Sequence, residues 1–105
     1  MADPSKVFAL SKLFHERARL GIMTLLVSQE DEIDFNDLIK HLKLTKGNLA
    51  VHVSKLEDAG YVSVSKSFVG KIPRTTYKAT ALGRRDFSAY LTILEEVIVH
   101  AKGNV

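Results

Sequence analysis

Leu44-Thr45-Lys46-Gly47-Asn48-Leu49-Ala50-Val51-His52-Val53-Ser54-Lys55-Leu56-Glu57-Asp58-Ala59-Gly60-Tyr61-Val62 is the stretch on which the fold turns. The Thr45 hydroxyl can accept from one of the unpaired amides that open a helix. Leu49, Val53 and Leu56 then recur at i, i+4 and i+7, which makes one face of that helix apolar. Gly60 closes it, because a helix commonly ends on a left-handed residue and glycine takes that conformation without strain. Beyond it the period drops to two. Val62 and Val64 alternate with Ser63 and Ser65, and Phe68 continues their face past Lys66. Gly70-Lys71-Ile72-Pro73 holds turn residues, and Thr75, Thr76 and Tyr77 have strand character. Residues 61–79 are predicted to form a β-hairpin with a basic tip.

Upstream, Asn36 is predicted to cap a short helix through His41, with Leu38, Ile39 and Leu42 on its apolar side. Leu44 sits in a tight connection, so residues 36–60 read as two helices joined by a turn. Glu30 to Asp34 is an acidic connection, and Ile33 with Phe35 suggests a short strand. A helix from about His15 to Gln29 carries Ala18, Ile22 and Leu25, widened by Met23 and Leu26, and reads as central. Asp3-Pro4-Ser5 has the form of a helix start, with Val7, Leu10 and Phe14 following at helical spacing beside Leu13. Downstream, Thr80 caps a helix over Ala81 to Ala101, roughly 31 Å long. The predicted order is α-α-β-α-α-β-β-α, mainly α with a small β wing. That is an α+β class in the winged helix-turn-helix arrangement, expected as one domain over residues 1–105.

The chain has 105 residues, 46% hydrophobic and 26% charged, which is ordinary globular composition. It contains no cysteine, which excludes disulfides and thiolate metal sites. The longest apolar run is far short of a membrane span. The opening residues lack the order of a secretory leader, so a cytoplasmic, nucleoid-associated protein is expected. The net charge of +3 is unevenly spread. Between Lys40 and Arg85 lie ten Lys or Arg against two acids, Glu57 and Asp58. One cationic face of this kind suits a polyanion.

With Leu49, Val53 and Leu56 buried, the other side of the same helix presents Gly47, Ala50, Val51, Ser54 and Asp58, flanked by Lys46, Asn48 and Lys55. A slim polar face with cationic edges matches what the major groove of double-stranded DNA demands. Asn48 is suited to adenine, Val51 to a thymine methyl, and Ser54 to a base or phosphate. Lys46 and Lys55 are suited to phosphates, and Thr45, Gly47 and Ala50 complete the expected DNA-binding set on this helix. On the wing, Lys66, Lys71 and Arg74 are the candidate contacts, with Arg74 addressed to a narrow minor groove.

The segment LTKGNLAVHVSKLEDAGYVSVSKSFVGKIPRTTYKATALGRRDF, residues 44–87, resembles the core of compact prokaryotic winged-helix regulators related to the MarR and ArsR types, many of them archaeal. Leu44-Thr45, Asn48-Leu49, His52, Leu56, Ala59-Gly60-Tyr61-Val62, Arg74, Thr80 and Gly83 carry the likeness. HERARLGIMTLL, residues 15–26, resembles the helix that precedes the reading pair. The resemblance covers nearly the whole chain. It implies a DNA-binding repressor or activator, usually a dimer on a pseudo-palindromic operator. Metal sensing of the ArsR kind is not expected. The cysteines are missing, and the last helix offers only Asp86, Glu95, Glu96 and His100. MarR-type effector pockets lie between longer outer helices than these, so no effector is assigned.

Phe87, Tyr90, Leu91, Leu94, Val97 and Ile98 form a sustained stripe on the last helix, and Val7, Leu10 and Phe14 form another near the start. A chain this short is hard pressed to cover both, so residues 1–14 and 81–105 are expected to build a homodimer. His52 is expected to pack against the neighbouring helix more readily than to touch a base. The acids from Glu30 to Asp37 lack the glycine and ligand order of a calcium loop. With no nucleophile beside a base and no phosphate-binding glycine motif, neither an enzyme nor a cofactor is expected. The alternatives are a protein-interaction winged helix and an architectural DNA binder with little sequence preference.

Overall fold

Each α-helix in the computed structural model, which describes Ser5 and residues 8–103, begins at a residue whose side chain meets a free amide. The elements among the described residues are α1 (Arg17–Val27), β1 (Ile33–Asp34), α2 (Phe35–Leu42), α3 (Lys46–Asp58), β2 (Val62–Val69), β3 (Ile72–Ala79) and α4 (Ala81–Ala101). Glu16 accepts from the Arg19 amide, Thr45 from the Asn48 amide and Thr80 from the Gly83 amide. Asp34, not Asn36, caps α2, and its carboxylate accepts the Asn36 amide at 2.8 Å. The strand therefore runs into the helix without a spacer, and Phe35 is the first helical residue rather than a strand residue. Gly60 has φ 83° just beyond α3, as its place after the helix requires.

The sheet is antiparallel in the order β1-β3-β2. Ile33 pairs with Tyr77, and the hairpin runs from Val62 opposite Ala79 to Val69 opposite Ile72. Its loop is Gly70-Lys71. Gly70 has φ 64°, as a two-residue hairpin turn with glycine first demands. The inner end of the sheet lies on the core and its outer end projects from it. The core is built from Ile22, Met23 and Leu26 of α1, Leu38 of α2, Leu49, Val53 and Leu56 of α3, Val62, Tyr77 and Ala79 of the wing, and Phe87 and Tyr90 of α4. Arg84 ties the first turn of α4 to the end of α1. Its guanidinium donates to the carbonyls of Val27 at 3.0 Å and Leu26 at 3.4 Å, which the helix C-terminus leaves unpaired, and to that of Gln29 just beyond it at 2.6 Å.

The winged-helix architecture is as expected, with one helix fewer among the described residues. Residues 8–16 run as turns and bends rather than as the last part of an N-terminal helix. The Leu13 carbonyl accepts from Arg19 Nε at 2.6 Å instead of joining a helical ladder. This draws Phe14 inward among Tyr61, Phe87 and Tyr90, with ring centroids 4.8, 5.2 and 5.6 Å away. Phe14, Phe87 and Tyr90 are 1%, 1% and 3% exposed, so they belong to the core of the single chain and not to a dimer contact. Asp3-Pro4 and Val7 lie outside the described residues. No helix among the described residues is long and apolar enough to cross a membrane.

Candidate nucleic-acid interface

Helix α3 is fixed by Leu49, Val53 and Leu56, all nearly inaccessible. Lys46, Gly47, Asn48, Ala50, Val51, Ser54, Lys55 and Asp58 are consequently exposed. Val51 is 55% exposed, an apolar side chain in the middle of a polar face. Thr45 is committed to its cap, with its hydroxyl accepting the Asn48 amide at 3.1 Å. It thus sets where the helix begins. The side chains of Lys46, Asn48, Ser54 and Lys55 make no hydrogen bond or ion pair among the described residues, which leaves them available to a ligand.

A buried arginine holds α3 against α1. Arg19, 9% exposed, lies on the apolar side of α1 with Ile22, Met23 and Leu26, and its Nη1 is 2.9 Å from His52 Nδ1. Arginine can only donate, so Nδ1 accepts. Glu16 Oε1 is 3.6 Å from the same nitrogen. Partial burial pushes the Glu16 carboxyl up, but hydrogen bonds from the Arg19 and Ala18 amides and the nearby Arg19 charge bring its pKa below the ordinary value. His52 therefore faces α1. Asn48, one turn earlier, joins it in lining a cleft of about 290 Å³ with Glu16, Arg17, Ala18 and Leu44. Sequence reasoning passed over Arg19, although its i, i+3, i+4, i+7 spacing with Ile22, Met23 and Leu26 was a signal that this charge is buried.

On the wing, Lys66 and Lys71 are exposed and make no side-chain bond among the described residues, Lys71 at the turn itself. Arg74 is placed differently from expectation. It stands opposite Ser67, three pairs down from the turn, and its Nε donates to Asp34 Oδ2 at 3.1 Å. The carboxylate that caps α2 thus also anchors Arg74, and half of the side chain is exposed. Beside it Thr76 donates to Glu32 at 2.9 Å, so β3 is held by acids at two points, Asp34 in β1 and Glu32 just before it. The outer end of the wing is apolar, which the expectation of a basic tip had missed: Phe68, Val69 and Ile72 are 71%, 60% and 70% exposed. Among the described residues no group of three His, Asp or Glu is arranged to hold a metal ion.

A family model described as a winged helix DNA-binding domain matches residues 18–98. The chain is similar to an uncharacterised protein of Methanocaldococcus jannaschii, 39% identical over 76% of this chain and 86% of that one. It is also similar to the solved structure of a transcriptional regulator homologue from Pyrococcus horikoshii, at 32% identity and TM-score 0.82, covering 91% of this chain and 94% of the other. A structure assigned to the MarR regulator family from Enterococcus faecalis shares the fold at 18% identity and TM-score 0.70, over 100% of this chain and 96% of its own. The matched region begins at the start of α1 and ends near the end of α4, so it takes in α3, the wing and the core that carries both. On that span the chain belongs to the winged helix DNA-binding domain family, a DNA-binding and not an enzymatic fold family.

Proposed function

We propose that this protein regulates transcription as a homodimer on a pseudo-palindromic operator in the cytoplasm, at the nucleoid. Helix α3 enters the major groove and the wing enters the adjacent minor groove. The observation that carries the reading is the outer face of α3. Asn48 and Ser54 stand there without partners, Val51 is exposed between them, and Lys46 and Lys55 mark the two edges. Asn48 reads a base edge, Val51 packs on a methyl group, and the lysines hold phosphates. Lys66, Lys71 and the free edge of Arg74 add cationic contact from the wing.

Dimer contacts come from the distal part of α4. Leu91, Ile98 and Val99 are 39%, 45% and 47% exposed there, with Leu94 and Val97 half-buried beside them and Leu10 half-buried near the chain start. A second copy on this stripe covers surface that one chain leaves open, and a two-fold axis sets the two reading helices about 34 Å apart or a multiple of it.

The test compares binding to a duplex selected by the protein from random sequence with binding to an unselected duplex, each over a range of salt. A sequence-reading protein keeps a large affinity ratio between the two as salt rises. Equal affinity at every salt concentration would reduce the protein to a DNA coater.

A further inference from the structure

We propose that the wing is a wedge: its apolar outer end forces open the minor groove and bends the duplex, so that the protein deforms its site as well as reading it. The inference rests on the DNA-binding reading above and adds an activity to it.

From Ser65 to Arg74 every residue of the hairpin is exposed, and no core lies under either face. Water-facing strand ends of this kind are ordinarily polar, yet this one carries Phe68, Val69, Ile72 and Pro73. Their register is informative. Phe68 stands opposite Pro73 and Val69 opposite Ile72, and successive pairs point to opposite faces. The end of the ribbon is therefore apolar on both sides. A flat protein surface covers one face of a ribbon, whereas only a slot covers two. The minor groove is such a slot, walled on both sides by the carbon skeletons of the sugars.

Charge selects the same occupant. Residues 62–79 contain no acid and carry Lys66, Lys71, Arg74 and Lys78. Lys71 leads the tip, and the other cations stand further back, level with the phosphates that rim a groove. Reach and width then decide what happens on entry. Four residues beyond Thr75 extend about 13 Å, more than the groove depth of about 7.5 Å. A ribbon with side chains on both faces is about 10 Å thick, against a groove about 6 Å wide. It cannot enter an undeformed duplex. Apolar side chains that open the minor groove unstack a base step and kink the duplex towards the major groove, by roughly 20–90°. That direction closes the DNA around α3. The tip accordingly favours flexible pyrimidine–purine steps over the stiff, narrow A·T tracts that an arginine would choose.

The experiment uses the full chain and the tightest duplex it recovers from a random-sequence pool, labelled at its two ends with a donor and an acceptor dye. Binding of the parent protein raises energy transfer as the ends approach. Phe68→Ser combined with Ile72→Ser, at exposed positions outside the core, keeps its circular dichroism and melting temperature. It binds the same duplex roughly tenfold more weakly and leaves transfer at the value of free DNA. Phe68→Leu retains the bend, and Lys71→Ala weakens binding without changing transfer at saturation. Parent-bound DNA as straight as free DNA would overturn the proposal. So would a serine variant that bends DNA as the parent does, which would assign the apolar tip to a protein or to a second copy. A parent chain that binds no duplex at all would take down the DNA-binding reading itself, and the wedge with it.

Discussion

Of the glycines at positions 21, 47, 60, 70 and 83, Gly83 leaves the least room for a side chain. A Cβ built there lies 2.2 Å from the Tyr61 carbonyl oxygen, which already accepts the Thr80 amide at 3.0 Å. The start of α4 touches the start of β2 only because this side chain is absent. Gly83→Ala should therefore lower stability by about 1–3 kcal/mol, seen as an earlier urea midpoint at an unchanged slope. On α3, Asn48→Ala should cost ~1–3 kcal/mol on the selected duplex and relax preference at one base pair. Lys55→Ala should weaken all duplexes alike and reduce the salt slope by about 1. A binding series with both variants separates reading from holding. Thr45, Gly60 and Thr80 were legible in the sequence because a cap is decided within four residues. The pairings of Arg19 and Asp34 were not, since their partners His52 and Arg74 lie 33 and 40 positions away. Spacing along a chain says nothing about which distant group will arrive.

Helix α4 does two things that its periodicity could not separate. Gly83, Phe87 and Tyr90 turn inward, while Leu91, Ile98 and Val99 stay open. An apolar stripe predicts burial without saying whether the cover comes from the same chain or from another. That is why Phe87 and Tyr90 were expected in a dimer contact and are found in the core instead. Leu91→Glu with Ile98→Glu should thus leave the fold intact and give a monomer by sedimentation, with much weaker operator binding. Phe87→Ala should instead destabilise the single chain by about 3–5 kcal/mol. A parent protein that sediments as a monomer at working concentration would remove the dimer. The N-terminal segment shows the same ambiguity. Helical spacing of Leu10 and Phe14 was real, but the pull of Phe14 into an aromatic cluster outweighs a short helix that is marginal alone. The helix-turn-helix and hairpin were legible because period, cap and glycine agree along each of them. The apolar tip was readable as residues and unreadable as a function until the register put Phe68 and Val69 on opposite faces.

Over the whole molecule, all three tyrosines ionise late. Tyr61 is pushed up by burial and by its hydrogen bond to Asp86, Tyr77 by burial and by Glu57, and Tyr90 by burial. Each neutral phenol therefore contributes stability that is fully present below the unfolded value of about 10 and is lost as pH rises through the folded one. Phenolate absorbance during a base titration should rise together with loss of circular dichroism, not ahead of it. Asp86 works with the opposite sign. Arg85 and then Tyr61 hold its carboxyl below the ordinary range, so its contribution is present above about pH 4 and fades as acid reaches the lowered value. The molecule measures 58 × 26 × 21 Å and is longer than a compact chain of this size. Its length makes the Arg84 bridge a mechanical part. Its guanidinium welds the root of α4 to the end of α1, and Arg19 pins the other end of α1 to α3. In the proposed dimer, a torque applied where the two copies meet passes through these two joints to α3, as along a crank. The distance between its two copies of α3 is thereby geared rather than sprung. Arg84→Ala should leave the dimer assembled but let it bind sites whose halves are one base pair too close or too far almost as well as the natural spacing, a tolerance that a panel of spacer-shifted duplexes would reveal.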